Sequence, residues 1–92
     1  MSIRENEFVF FVSEAEYPNL LSAFPGEFPT LYSDFVSAVD VRIEKRQEQF
    51  ATTKAYVRVV DFLAFCTKRG IPPDADAKRI FAQLVGNDQV PT

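Results

Sequence analysis

Phe8-Val9-Phe10-Phe11-Val12 is the segment around which we expect this 92-residue chain to fold. The run is β-branched and aromatic, too short for a helix, and bounded by Glu7 and Ser13. If it is extended, apolar side chains lie on both faces, because successive side chains of a strand point to opposite sides. We therefore predict a strand that is covered on two sides.

A short helix is predicted directly after this strand. Ser13 and Glu16 have the spacing of a capping box, in which each residue bonds a free amide at the start of a helix. Pro18 interrupts the pattern, so we expect a kinked helix that ends near Phe24. The following segment, residues 24–29, contains two prolines and a glycine and is predicted to be a loop.

A longer helix is predicted from Leu31 to about Gln49. Its apolar residues recur at steps of three and four: Tyr32, Phe35, Val36, Val39 and Ile43. One alternative stays open, because residues 39–44 also alternate apolar and polar side chains with the period of a strand. In that alternative, residues 39–44 form a hairpin with residues 55–60.

Residues 55–60, Ala-Tyr-Val-Arg-Val-Val, are β-branched and predict a second strand. Asp61 is the predicted N-cap of a helix over residues 62–69, which Gly70 ends. Asp74 is the predicted cap of a last helix, which Gly86 stops. The order is therefore β-α-α-β-α-α, an α+β fold with one layer of helices on a small sheet.

Length and composition indicate one domain over residues 1–92, with residues 1–6 and 87–92 frayed. The chain is 47% hydrophobic with ten Phe, which suffices for a core. A formal charge of −3 argues against a protein that mainly coats phosphate backbones. The single cysteine, Cys66, excludes an intrachain disulfide, and no leader or membrane span is visible. We expect a cytoplasmic protein without cofactors.

Catalytic machinery is not apparent. The chain has no histidine, which removes the usual general base at neutral pH. Cys66 lies among apolar residues, and a free cysteine in such surroundings is usually a small core residue. A thiol-dependent enzyme that uses Cys66 is our third hypothesis for function, and we do not expect an enzyme.

The charge is divided along the chain. Residues 1–40 hold one base and seven acids, whereas residues 41–92 hold nine bases and six acids. Attraction between the two halves within the fold is the simplest explanation. The alternative is a basic face that binds RNA or single-stranded DNA, with Tyr56 as a stacking ring. Its residues would be Arg42, Arg46, Lys54 and Arg58.

The aromatic surplus suggests a different function. Phe24, Phe28 and Tyr32 flank the proline-containing loop, where full burial is least assured, and exposed rings there would anchor a protein partner. Our first hypothesis is a non-enzymatic protein-binding module, such as a small regulator, adaptor or inhibitor. An apolar two-stranded sheet would also gain from pairing across a two-fold axis, which predicts a homodimer through an edge strand.

Overall fold

The computed structural model describes residues 5–87, and within them two strands and four helices follow the predicted order β-α-α-β-α-α. The α+β class is confirmed. Expectations for residues 1–4 and 88–92 lie outside the described residues. The elements are β1 (Glu5–Phe11), α1 (Tyr17–Ala23), α2 (Tyr32–Arg46), β2 (Phe50–Tyr56), α3 (Val59–Arg69) and α4 (Ala75–Gly86).

The two strands form a parallel sheet, in which Phe8 is opposite Thr53 and Phe10 is opposite Ala55. Parallel neighbours need a long crossover connection, which α1 and α2 supply here. The hairpin alternative for residues 39–44 is wrong, because they lie inside α2. Residues 5 and 6, which we expected to be frayed, pair with the first two residues of β2.

Helices cover both faces of the sheet. Phe11 stacks on Phe35 of α2 with ring centroids 5.4 Å apart, whereas Phe10 packs edge-on against Phe62 of α3 at 5.2 Å. Because neighbouring strand residues point to opposite faces, α2 and α3 lie on opposite sides of β1. The strand is thus covered on two sides as predicted, but the single layer of helices was wrong.

The second strand and the start of α3 differ most from the prediction. The strand occupies residues 50–56, so five of its residues precede the predicted segment, and Val59 and Val60 are helical. Asp61 lies in the first turn of α3 and is not its N-cap. The Val59 N–H instead donates to Glu16 Oε1 at 2.8 Å, which satisfies a free amide at this helix end.

The predicted capping box is only half formed. The Glu16 N–H donates to Ser13 Oγ at 3.3 Å, but the Glu16 carboxylate turns to α3. Regular helix α1 begins at Tyr17 with Pro18 in its first turn, where a missing N–H costs nothing. The Glu16 carboxylate therefore caps α3 and does not complete the capping box at the start of α1.

The other helix ends follow local sequence more closely. Gly70 ends α3 in the left-handed conformation, with φ of 66°, and Asp74 Oδ1 caps α4 by accepting from the Ala77 N–H at 2.9 Å. The last helix ends at Gly86 as predicted, but Gly86 is itself its last helical residue, and Asn87 is the C-cap. A Cβ at Gly86 would lie 2.1 Å from Phe8 Cγ, so glycine is needed there for close packing against β1.

One apolar core joins the elements. Leu20, Phe62 and Phe81 are fully buried in it, and Phe62 lies 5.6 Å from Phe81 between ring centroids. Such aromatic contacts contribute about 0.5–1.5 kcal/mol beyond area burial. Of the helices in the described residues, none combines the length and apolar character that a bilayer crossing requires.

Candidate functional site

The three rings predicted to bind a partner are largely turned inward. Phe24 is only 4% exposed and contacts Phe62 at 6.2 Å between centroids, so its predicted role as a surface anchor is corrected. Tyr32 is half-buried, and its hydroxyl donates to the Val12 carbonyl at 2.9 Å. Phe28 is half-buried against Phe24 and Phe35, with both centroid distances 6.0 Å. Of the three, Phe28 borders an open space.

That open space is a cleft of about 600 Å³ beside β1, which we call the β1 cleft. Its floor is β1, one wall is α2, the other wall is the first half of α4, and residues 27–29 line it as well. Its volume is in the range of ordinary ligand sites. The lining residues are Glu7, Phe8, Val9, Phe10, Glu27, Phe28, Pro29, Phe35, Ala38, Val39, Arg42, Arg46, Ala75, Asp76, Lys78 and Arg79.

The floor of the β1 cleft is an open sheet edge. The Phe11 carbonyl accepts from the Val57 N–H at 2.8 Å, so odd-numbered residues of β1 direct their backbone groups to β2. In a parallel strand the even-numbered residues then direct theirs away from β2. The Phe8 N–H follows this rule, because it donates to Gln83 Oε1 of α4 at 2.5 Å. The N–H and C=O groups of Phe10 also point away from β2, outward from this edge.

One ion pair crosses the α2 side of the cleft. Arg46 binds Glu7 through two hydrogen bonds of 2.5 and 2.6 Å, and its guanidinium lies 4.7 Å from the centre of the Phe50 ring. The hydrogen bond to Glu7 raises the pKa of Arg46 above its ordinary value. Arg46 and Glu7 therefore neutralise each other and are held in one geometry.

Three other cations line the same cleft. Within residues 5–87, Arg42 of α2 and Lys78 and Arg79 of α4 make no ion pair. Lys78 lies over the Phe28 ring, 4.9 Å from its centre, and also over Phe24. Two acids, Glu27 and Asp76, also line the cleft. The unpaired cations thus exceed the remaining acids and lie on both walls.

The four predicted nucleic-acid-binding residues are only partly brought together. Arg42 and Arg46 line the β1 cleft. Lys54 pairs instead with Asp40 at 3.0 Å, and Arg58 is the exposed N-cap residue of α3. Since Arg46 and Lys54 are engaged in ion pairs with acids of the first forty residues, these contacts agree with attraction between the two halves.

Cys66 and two of the carboxylates have structural roles in the fold. Cys66 is 3% exposed, and burial, with a smaller contribution from Asp74, raises the pKa of its thiol. At neutral pH the thiol is therefore protonated, which opposes nucleophilic reaction. Glu16 and Asp74 are occupied as helix caps. No group of three metal-binding side chains occurs in the part of the chain that the structure describes.

Sequence reasoning missed the cleft as a unit. It singled out Phe28, Arg42 and Arg46, but it assigned them to two different hypotheses. Lys78 and Arg79 lie more than thirty residues further along the chain, and only the packing of α4 beside β1 brings them to the same space. The one sequence signal was the apolar strand itself, because a two-stranded sheet must leave edges open.

Comparison with protein families, curated proteins and solved structures found no match for this chain. The function is therefore inferred from the geometry of the molecule.

Proposed function

We propose that this protein is a non-enzymatic protein-binding module, such as a small regulator, adaptor or inhibitor, and that the β1 cleft is its binding site. The observation that supports this proposal is the open edge of β1 at the floor of a cleft with an aromatic and basic lining. Exposed strand edges are ready sites for pairing with another chain. A cytoplasmic location, which the single cysteine supports, belongs to the same proposal.

The loop rings keep a role in this proposal, but a narrower one. Phe28 contributes to the cleft lining and is half-buried, whereas Phe24 and Tyr32 do not line the cleft. Phe24 packs against Phe28, and Tyr32 packs against Phe35, which is another lining residue. A Phe28→Ala variant would disturb the packing of Phe24 and Phe35 as well as the cleft. Exposed charges on the walls are therefore better probes of binding than the rings.

The test is site-specific photocrosslinking in extracts of the native cell. A photoreactive amino acid replaces Ala38, which is exposed and lines the cleft, or Val41, which is 51% exposed on α2 and does not line it. We expect a crosslinked protein of defined mass from position 38 alone. Arg42→Glu should abolish this product, whereas Lys45→Glu, the same charge change outside the cleft lining, should leave it.

Equal crosslinking from both positions, or a product that persists in Arg42→Glu, would argue against the β1 cleft as the binding site. Circular dichroism of each variant checks that the fold is kept. Arg42 and Lys45 are both exposed on α2, so we expect their substitution by glutamate to change the free energy of unfolding by no more than about 0.5 kcal/mol.

Binding to RNA or single-stranded DNA is the alternative. Tyr56, the predicted stacking ring, is 63% exposed, and this exposure favours the nucleic-acid alternative. The ion pairs of Arg46 and Lys54 oppose it, because a phosphate would have to compete with Glu7 and Asp40. Fluorescence anisotropy with labelled oligouridylate decides: binding that falls steeply with salt supports the alternative, and no binding at low salt ends it.

A homodimer is a further part of the proposal. The outer edge of β2 carries backbone groups that point away from β1, and the exposed Tyr56 lies at its end. Pairing of two β2 edges would extend the sheet and leave the β1 cleft open. Light scattering at micromolar concentration should then give twice the chain mass of 10.5 kDa, and a monomeric mass would contradict the homodimer.

A further inference from the structure

We infer that the β1 cleft takes an extended, acidic segment of another protein, which adds to the free edge of β1 as a third strand. This inference rests on the proposed protein-binding function and specifies both the conformation and the charge of the bound segment. It follows from three features of the cleft: unused backbone groups, an edge that ends at Val12, and cations on both walls.

The outer edge of β1 has backbone groups without a partner among the described residues. Asn6, Phe8 and Phe10 direct their N–H and C=O groups away from β2, by the alternation of a parallel strand. Of these groups, only the Phe8 N–H has a partner within residues 5–87, and that partner is the Gln83 side chain. The Phe10 N–H and C=O are therefore placed to exchange two hydrogen bonds with one residue of an antiparallel added strand, or to bond two residues of a parallel one. This is the geometry of peptide recognition by strand addition.

The edge is closed at one end and partly occupied in the middle. At Val12 the carbonyl accepts from the Tyr32 hydroxyl, and the residue is completely buried, so pairing stops there. The run from Asn6 to Phe10 spans four residue steps, or about 13 Å. It can hold about five residues of a bound segment. Gln83 Oε1 takes the position that a carbonyl of the added strand would otherwise take opposite the Phe8 N–H. The Phe8 carbonyl remains available to the added strand.

The charged side chains on the two walls determine which charge the bound segment should carry. Side chains of an added strand would alternate between the α2 wall and the α4 wall, as those of β1 do. Arg42 stands on the first wall, and Lys78 and Arg79 stand on the second, all without an ion pair among the described residues. Carboxylates on either side of the bound segment therefore meet a cation. Glu7 adds little repulsion, because Arg46 binds both of its carboxylate oxygens.

The experiment uses ¹⁵N-labelled full chain and three blocked heptapeptides as probes. The first repeats two aspartates and one valine, so that carboxylates lie on both sides of the extended peptide. The second replaces each aspartate by lysine, and the third repeats the first with a methyl group on every backbone nitrogen, which blocks both edges of the peptide. We expect the acidic peptide to move the Phe10 amide signal and slow its hydrogen exchange. The lysine peptide should not bind, and methylation should weaken binding about tenfold or more, since it removes hydrogen-bond donors.

Protein variants locate the interaction. Arg42→Glu should weaken binding of the acidic peptide, while Lys45→Glu should not. Equal binding of the lysine peptide would overturn the inferred charge, and equal binding of the methylated peptide would overturn strand addition. A Phe10 amide already protected in a dimer of the free protein would also overturn the inference, because a second copy would then occupy the edge.

Failure of this inference is distinguishable from failure of the proposed function. If crosslinking from position 38 depends on Arg42 but the acidic peptide leaves the Phe10 amide unchanged, the cleft binds a protein in another manner. If crosslinking also fails, the β1 cleft is not a protein-binding site.

Discussion

Replacement of Gly86 by alanine should destabilise the protein, although the same change in a helix usually stabilises it. Alanine is favoured over glycine inside helices by about 1 kcal/mol, and by less near a helix end such as this one. In this fold we expect the stability change to have the opposite sign, because the added methyl group would clash with Phe8. A Cβ at Gly86 would lie 2.1, 2.3 and 2.4 Å from three carbons of the Phe8 ring.

The magnitude follows from these distances. Ordinary contact begins near 3.4 Å, and Phe8 Cγ is the root of the ring, so the whole side chain or the helix must move by more than 1 Å. Overpacking of this kind costs about 1–3 kcal/mol. After subtraction of the helix gain, we expect a net loss of about 1–2 kcal/mol, which lowers Tm by several degrees in a chain of this size.

The assay is urea denaturation followed by circular dichroism, in a cycle with Phe8→Ala. In the Phe8→Ala background the obstructing ring is absent, so Gly86→Ala should stabilise by up to about 1 kcal/mol. Gly70→Ala is the control, because Gly70 has φ of 66° and no atom within 4 Å of an added Cβ. It should cost about 1 kcal/mol in both backgrounds. A Gly86→Ala protein that is more stable than the parent would refute the packing argument.

Three further predictions test other parts of the structure. Glu16→Ala should destabilise by about 1 kcal/mol, because the Val59 N–H loses its cap, while exposed Glu14→Ala should change little in the same urea assay. Burial raises the pKa of both Tyr17 and Tyr32, with Asp34 adding to the effect at Tyr17, so the folded state holds these protons more tightly than the unfolded state. Stability should be complete below the ordinary tyrosine pKa of 10.0 and fall as pH rises above it; a flat profile between pH 9 and 11, monitored with tyrosinate absorbance, would contradict this. Cys66 should react with a thiol reagent at neutral pH only as fast as the protein opens, so labelling should accelerate strongly in urea, and rapid labelling of the folded protein would revive the thiol hypothesis.

Three residues of the candidate site could be anticipated from their type, but the assembly of the site could not. Phe28, Arg42 and Arg46 were marked by residue type, since aromatic and basic side chains are the ones that anchor partners. Their joint location beside Lys78 depends on where α4 packs. Phe24 was misjudged as a surface candidate, because a position next to a loop does not reveal that a ring turns toward Phe62.

Local sequence determined the order of elements and the helix ends that depend on a few adjacent residues. Gly70 adopts a left-handed conformation that other residues resist, and Asp74 caps α4 through an amide three residues away. Both interactions are complete within one turn of chain, so the amino-acid pattern suffices to predict them. The two-sided apolar character of residues 8–12 likewise required cover on both faces.

Only the tertiary structure determined where β2 ends and α3 begins, why position 86 requires glycine, and that a cleft exists. Val59 and Val60 favour strands by themselves, yet they are helical in a fold where Glu16, 43 residues away, caps their first turn. Gly86 follows the helical path and is required by the Phe8 ring beside it. The physical reason is common to all three: the deciding contact joins residues that are distant in sequence, and no local preference encodes it.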